Sequence, residues 1–183
     1  MIKQGGKLLQ VAQLGQPIFR KKSKEVNDTE ELLLQVLIND LITTVMEVDG
    51  VGISAPQVYE SVRLFILASH PNARYPYAPK MKPIAIINPK ILKTSNKIVK
   101  DWEGCLSIPG LRGLIPRSQS IQAEYFTREG RKVKKTFTNF VARIFQHEYD
   151  HLEGKLFIDR VESSLDLISE KEFQKLISSK SKK

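Results

Sequence analysis

Cysteine is nearly missing from this chain: Cys105 is the one thiol among 183 residues. No internal disulfide can form, which excludes a secreted disulfide scaffold. Long apolar runs are missing too. No segment approaches the ~20 apolar residues that span a bilayer. The opening MIKQGGKLLQVAQLG has neither the continuous apolar core of a signal peptide nor an Arg/Ser-rich organelle pattern. A cytoplasmic protein without membrane contact is expected. Acidic residues are in deficit, 20 Asp+Glu against 29 Lys+Arg, which leaves a formal charge of +9. Such an excess can serve nucleic acid by counterion release. The cations are dispersed, however, and concentrated only at Arg20 to Lys24, Arg131 to Lys135 and Lys180, Lys182 and Lys183. A solvated basic face is expected, with no dedicated DNA-binding surface.

What remains is an ordinary globular composition, with 41% apolar and 27% charged residues, ten Gly and nine Pro. At this length one domain over 1–183 is expected, since there is no room for two independent cores. Residues 1–26, broken by Gly15 and Pro17, read as a wrapped arm. Asn27, Asp28 and Thr29 offer helix caps with Glu30 and Glu31 in the first turn. Leu34, Leu37, Ile38, Leu41, Val45 and Val48 then predict a helix that ends at Gly50. Residues 51–60 read as a loop, Val62 to Ala68 as a buried strand, His70 to Pro79 as an irregular excursion and Ile84 to Ile87 as a short strand. The stretch 98–117 is too interrupted by Gly and Pro for a helix. Ile121, Ala123 and Tyr125, the turn Arg128-Glu129-Gly130, then Val133 and Phe137 predict a hairpin. NFVARIFQHEYDHLEG predicts a helix stopped by Gly154. Over 163–183 a final helix with Leu165, Ile168, Leu176 and Ile177 on its apolar side is expected to end in a disordered basic SSKSKK.

Chemistry concentrates in His147-Glu148-Tyr149-Asp150-His151. Residues four apart on a helix lie one turn above each other, so both imidazoles can close on one metal while Glu148 reaches a water beside it. Two of the chain's three histidines at this spacing would arise by chance in about 3% of such chains, before Glu is also demanded. A hydrolytic metal usually takes three protein ligands. Glu170, nineteen residues after His151, is one candidate for the third, as in thermolysin-like proteases. Cys105 in Glu103-Gly104-Cys105-Leu106-Ser107 is the other, because glycine lets the backbone approach a metal and a thiolate binds strongly. The paired histidines favour the thiol. A third stretch, Gly50-Val51-Gly52-Ile53-Ser54-Ala55-Pro56-Gln57, combines glycines with an amide that could face a developing oxyanion.

GVGISAPQ, EGCLS and QHEYDHLEG, in this order, closely resemble the three signature motifs of the peptide deformylase family, whose members remove the N-terminal formyl group from nascent polypeptides in bacteria and organelles. The likeness covers roughly residues 8–162. Ile53 and Ser54 depart from the usual Leu and Ala. The resemblance implies an α+β fold: mixed or antiparallel sheets packed around a central helix carrying HExxH, plus an N-terminal and a C-terminal helix. It also implies a metal held by Cys105, His147 and His151, with Glu148 as general acid/base and Gln57 and the Leu106 N–H on the formyl oxygen. Val51 and Gly52 would pair with the substrate backbone, and Val51, Phe140 and Ile144 would line the methionine pocket. Gly104 would help exclude larger acyl groups, Arg112 would lie near the peptide, and Glu103 with Arg117 would form an ion pair behind the metal. Fe2+ is the implied cellular ion, with Zn2+, Ni2+ or Co2+ possible after purification. The implied partners are formyl-Met nascent chains, for a monomeric bacterial enzyme; the basic tail adds the expectation of a transient ribosome contact. The alternative reading is a small zinc endopeptidase with Glu170 as its third ligand.

Overall fold

The computed structural model of the protein describes residues 5–180. The first long element, α1 (Leu32–Glu47), carries the expected stripe, with Leu34, Ile38, Leu41 and Val45 buried. It begins later than its capping sequence suggests. Asp28 Oδ1 accepts from the Glu30 N–H at 2.8 Å, a local turn that competes with helix entry, so Glu30 and Glu31 precede the first turn. Before α1 the chain is irregular apart from a 3-10 turn, Pro17–Arg20. Main-chain bonds nevertheless pin it, among them Ala12 N–H to Gln57 O, Leu14 N–H to Ser107 O and Ser23 N–H to Leu152 O, each 2.8 Å. Those acceptors lie in or beside the three motif segments.

The expected loop after α1 is instead a short strand, β1 (Gly52–Ser54), followed by a 3-10 turn, Ala55–Val58. It pairs antiparallel with β2 (Leu64–Leu67). Next, β3 (Ile84–Thr94) runs well past the predicted Ile84 to Ile87, because a register shift between Ile87 and Lys90 absorbs Asn88 and Pro89. The interrupted stretch folds into two long paired strands, β4 (Ile98–Cys105) and β5 (Ile108–Ser118). Their pattern hid them. On β5 the buried positions include Arg112, Gly113 and Arg117 as well as Ile108 and Ile115, so no apolar alternation marks the strand. The predicted hairpin appears as β6 (Ser120–Phe126) and β7 (Lys132–Thr138). α2 (Asn139–Leu152) follows, then β8 (Leu167–Ser169) and α3 (Glu170–Lys180).

The strands form two antiparallel sheets, β1-β2-β3-β6-β7 and β4-β5-β8, and the fold is α+β. One face of the larger sheet is covered by α1, through Ile38, Leu41 and Val45 against Ile53, Leu64 and Ile66. The other face receives α2, where Phe145 meets Phe65 edge-on at 5.0 Å and Phe137 at 5.1 Å. The smaller sheet closes over the opposite side of α2, with Ile108, Ile115 and Phe157 joining Ala12 and Phe19 of the arm. Buried between two sheets, α2 hides charged residues as well as apolar ones: Arg143, His147, Glu148, Asp150 and His151 are all buried.

The C-terminal segment departs from expectation. Leu165 is 91% exposed, Ile168 lies on β8, and the side chain that seats α3 is Phe173, 3% exposed and 5.9 Å from the Trp102 ring. Ser178, Ser179 and Lys180 are helical, not disordered. Residues 181–183, with Lys182 and Lys183, lie outside the described residues, as do 1–4 of the expected arm.

Gly154 ends α2 with φ +69°, and a Cβ there would sit 3.1 Å from the main chain of Arg20 and Lys21. Left-handed backbone costs a non-glycine residue about 1–2 kcal/mol, and the close arm adds to it. Gly154→Ala is therefore expected to lower unfolding stability by about 2 kcal/mol in urea, with little change in the m-value. Wild-type stability would refute the close packing of arm against helix end.

Candidate metal centre

Three elements bring the motif side chains together. Cys105 ends β4 at a register irregularity, while His147 and His151 stack on successive turns of α2. One potential ligand atom from each of Cys105, His147 and His151 lies within 4.8 Å of the others. Cys105 Sγ is 3.4 Å from His151 Nε2, and the two imidazoles stand nearly perpendicular with centroids 5.1 Å apart. One thiol and two imidazoles form a donor set suited to Fe2+, Zn2+, Co2+ or Ni2+. Among the described residues this is the group of three or more His, Cys, Asp or Glu side chains close enough to hold a cation. Glu170 borders the same cleft but is not in this group. Its carboxylate clasps Arg112, with Nε to Oε2 at 2.5 Å and Nη2 to Oε1 at 3.1 Å, which removes the third ligand of the endopeptidase alternative.

Behind His147 lies a buried ionic cluster. Glu103, 3% exposed, accepts from Arg117 Nε at 2.9 Å and Arg143 Nη1 at 2.8 Å on one oxygen. Its other oxygen meets Arg117 Nη2 at 3.0 Å and His147 Nδ1 at 2.9 Å. Burial by itself would push Glu103 up, but the Arg117 and His147 charges outweigh it and hold the carboxyl well below the usual range. With Glu103 ionised, His147 Nδ1 is the donor, so in the neutral imidazole the tautomer is fixed and the lone pair lies on the other ring nitrogen. Arg117 continues to Asp150 Oδ2 at 2.6 Å, and Asp150 also receives Arg160 at 2.5 and 3.0 Å. The family resemblance implied the pairing of Glu103 with Arg117. The sequence concealed Asp150, Arg143 and Arg160, because the inner residues of HExxH read as spacers and the other two as solvated helix and loop cations.

The two histidines differ. Burial lowers His147, yet Cys105 and Glu103 beside it more than compensate and raise it; His151, wholly buried near His147 and Arg117, is pushed down. Glu148 is pushed up to about 7, mainly by burial and secondly by the neighbouring Glu103 charge, against the opposing pull of His147. Its Oε2 has no hydrogen-bond partner among the described residues. A buried carboxyl that exchanges its proton near neutrality and keeps one oxygen free is equipped for proton transfer.

These groups border a cleft of about 530 Å³, lined by Val51, Gly52, Gln57, Gly104, Cys105, Leu106, Arg112, Phe140, Ile144, His147 and Glu148. His151 sits behind them at 0% exposure. Every residue singled out from the motifs thus lies on the cleft or directly beneath it. β1 and β4 are edge strands of their sheets, so the cleft is flanked by two sheet edges. Glycine is demanded on both. A Cβ at Gly52 would fall 2.6 Å from Glu148 Oε1, and one at Gly104 would fall 2.6 Å from the Arg112 guanidinium.

Ser54 orients Gln57. Its N–H and hydroxyl both donate to Gln57 Oε1, at 2.9 and 3.1 Å, which turns the Nε2 group toward Cys105 Sγ at 3.4 Å and Ser107 Oγ at 3.2 Å. The departure from Ala at this position therefore supplies a hydroxyl that selects one face of the amide. Leu106, in the turn between β4 and β5, is held through its carbonyl by Gln13 Nε2 at 3.4 Å.

Comparison with known proteins gives a consistent result. A family profile described as polypeptide deformylase matches residues 8–166. Peptide deformylase 2 of a Nostoc species is 57% identical over 175 residues, covering 96% of this chain and 98% of the relative. Peptide deformylase 2 of Shewanella oneidensis is 44% identical over 154 residues, 84% of each chain. Among solved structures, a class I type b peptide deformylase from Acinetobacter baumannii bound to Met-Ala-Ser superposes with a TM-score of 0.82 at 42% identity, over 84% of this chain and 98% of that one. The Thermotoga maritima peptide deformylase gives 0.77 at 35% identity, over 85% and 99%.

Glu103→Gln is expected to keep the fold's shape but weaken the hold on His147. Affinity for Zn2+ measured against a competing chelator should fall about 10–100-fold. Unchanged affinity would show that the carboxylate does not orient the imidazole.

Proposed function

Starting from the fact that the chain belongs to the polypeptide deformylase family, and so removes N-terminal formyl groups, we propose that Cys105, His147 and His151 hold one divalent cation beside which Glu148 moves the proton. The observation that supports this most directly is the convergence of one thiol and two imidazoles next to a buried, half-unpartnered carboxyl. When bound, such a cation would acidify a water molecule and polarise the formyl carbonyl. Glu148, with its pKa near 7, accepts the attacking water's proton and later delivers it to the amine as the C–N bond breaks, releasing formate. Gln57 Nε2 and the Leu106 N–H donate to the formyl oxygen as negative charge develops on it. Since Ser54 already holds the other end of the Gln57 amide, little reorganisation is required.

The substrate backbone adds to the free edge of β1 at Gly52 and Val51, in the manner of an extra strand. Its first side chain lies against Val51, Ile144 and Phe140, and Gly104 with Arg112 borders the opposite side. In the cell the substrates are formyl-Met nascent chains, the ion is Fe2+, and the enzyme acts as a cytoplasmic monomer. Lys180, Lys182 and Lys183 supply a weak, salt-sensitive contact to the ribosome. Neutralising those lysines tests that contact better than deleting 163–183, which would also remove buried Phe173 and the Arg112 partner Glu170.

Three variants of anaerobically purified protein test the assignment. Cys105→Ala is expected to lose the bound cation by elemental analysis, whereas Glu170→Ala keeps it. Glu148→Ala should also keep it, yet formate release from formyl-Met-Ala-Ser should drop by about 10²–10⁴-fold. Retained turnover in Glu148→Ala, or a cation lost with Glu170 rather than Cys105, would overturn these roles.

A further inference from the structure

One wall of the cleft comes from outside the three motifs. The irregular loop between β2 and β3 is turned back on itself by Asn72, whose Oδ1 accepts from the N–H groups of Arg74 and Tyr75 at 3.0 and 2.8 Å. Asn72 Nδ2 donates to Asp49 O at 3.0 Å, and Arg74 also donates to the Val48 and Asp49 carbonyls. The loop is thereby moored to the residues that lead into β1. So placed, the half-buried Tyr75 ring packs on Phe140 with centroids 5.0 Å apart. Its phenol oxygen accepts from Arg112 Nη1 at 2.7 Å. Arg112 is in turn fixed by Glu170 on α3 and stacked over Phe173 at 4.9 Å.

Tyr75 therefore crosses the cleft, from Phe140 on α2 to Arg112 on β5. Ile144, one turn beyond Phe140, lies 2.8 Å from where a Gly52 Cβ would be. Ile144, Phe140 and Tyr75 thus form a continuous apolar wall that starts beside the substrate-pairing strand and ends under a phenol ring. A side chain entering at Gly52 must stop at that ring. Two aromatic faces at the closed end also suit a thioether, since sulfur packs favourably about 5 Å from aromatic rings.

We propose that Tyr75 is a specificity-determining residue that closes the far end of the first side-chain pocket, limiting its length and favouring the methionine thioether. This rests on the deformylase reading above, but it concerns side-chain selection and not the reacting atoms. The group is held there by a relay through Arg112 to Glu170, so α3 contributes to selectivity without touching the substrate's first side chain.

The test uses Tyr75→Ala and Tyr75→Phe with formyl-Met-Ala-Ser, formyl-norleucine-Ala-Ser and formyl-Phe-Ala-Ser. In Tyr75→Ala the KM for the methionine peptide should rise about 10-fold with kcat within about 2-fold. Its preference for Met over Phe should shrink about 10-fold, and the Met advantage over norleucine should diminish. Tyr75→Phe keeps the ring and should keep most of the preference, losing only the Arg112 contact. Calorimetry with Met-Ala-Ser and Ala-Ala-Ser reads the same pocket without turnover, and the wild-type margin between them should narrow in Tyr75→Ala. Wild-type KM and selectivity in Tyr75→Ala, or an equal fall in kcat for all three peptides, would overturn the proposal, as would an unchanged calorimetric margin. A wild-type protein that binds Met-Ala-Ser selectively but releases no formate would contradict the assigned activity while supporting the pocket.

Discussion

The Glu103 carboxylate is out of water, and each of its oxygens accepts two hydrogen bonds from cationic or imidazole donors. Leaving any of those charges unpaired in the interior would be strongly destabilising, because a buried ion regains its lost hydration only from well-placed partners. This single group couples three elements. It sits on β4 two residues before Cys105, it receives Arg117 from β5, and it receives Arg143 and His147 from α2. The thiol and the first imidazole therefore approach one another because the same carboxylate positions the strands and the helix that bear them. Asp150 extends the arrangement through Arg117 to Arg160, so the ionic cluster continues from the cleft wall at Glu103 along α2.

Packing supplies what electrostatics does not. α2 is clamped between two sheets, and its apolar residues, chiefly Phe145, Ile144 and Leu152, set its height against the larger sheet. The N-terminal arm then ties together the segments that carry the chemistry. Its main-chain N–H groups at Ala12, Leu14 and Ser23 reach Gln57, Ser107 and Leu152, one from each region of the site. Because these are backbone bonds they demand no particular side chains, only that the arm lie flat, which buried Ala12 and Phe19 ensure. A rigid site on edge strands and a helix is well suited to holding reacting groups in place, since strands and helices fluctuate less than free loops.

Legibility varied with how local the physics was. The helices α1 and α2, the strands near Val62 to Ala68 and the 121–137 hairpin announce themselves through periodicity that neighbouring residues determine. The strands β4 and β5 do not, because their buried positions are filled by Arg112, Arg117, Glu103 and glycines whose partners lie across the sheet or on α2. β1 was equally hidden: three residues are too few for a pattern, and it is a strand only because β2 lies beside it. At the other end Leu165 reads as apolar helix yet faces solvent in a 3-10 turn, Ser164–Asp166, and the residues after it are recruited as β8 by the free edge of β5.

For the site, residue types and spacing alone determined that two imidazoles and a carboxylate share one helical stretch, since the α-helical repeat settles that geometry locally. They favoured Cys105 over Glu170 as the remaining ligand, and resemblance to a known family strengthened that preference. Tertiary structure decided the rest: that Glu170 neutralises Arg112, that Asp150 is an ionic strut and no mere spacer, that Ser54 turns the Gln57 amide, and that Tyr75 reaches Phe140. Each of these is a contact between residues distant in sequence or a choice of hydrogen-bonding face. Such contacts exist only once burial has removed water as the competing partner.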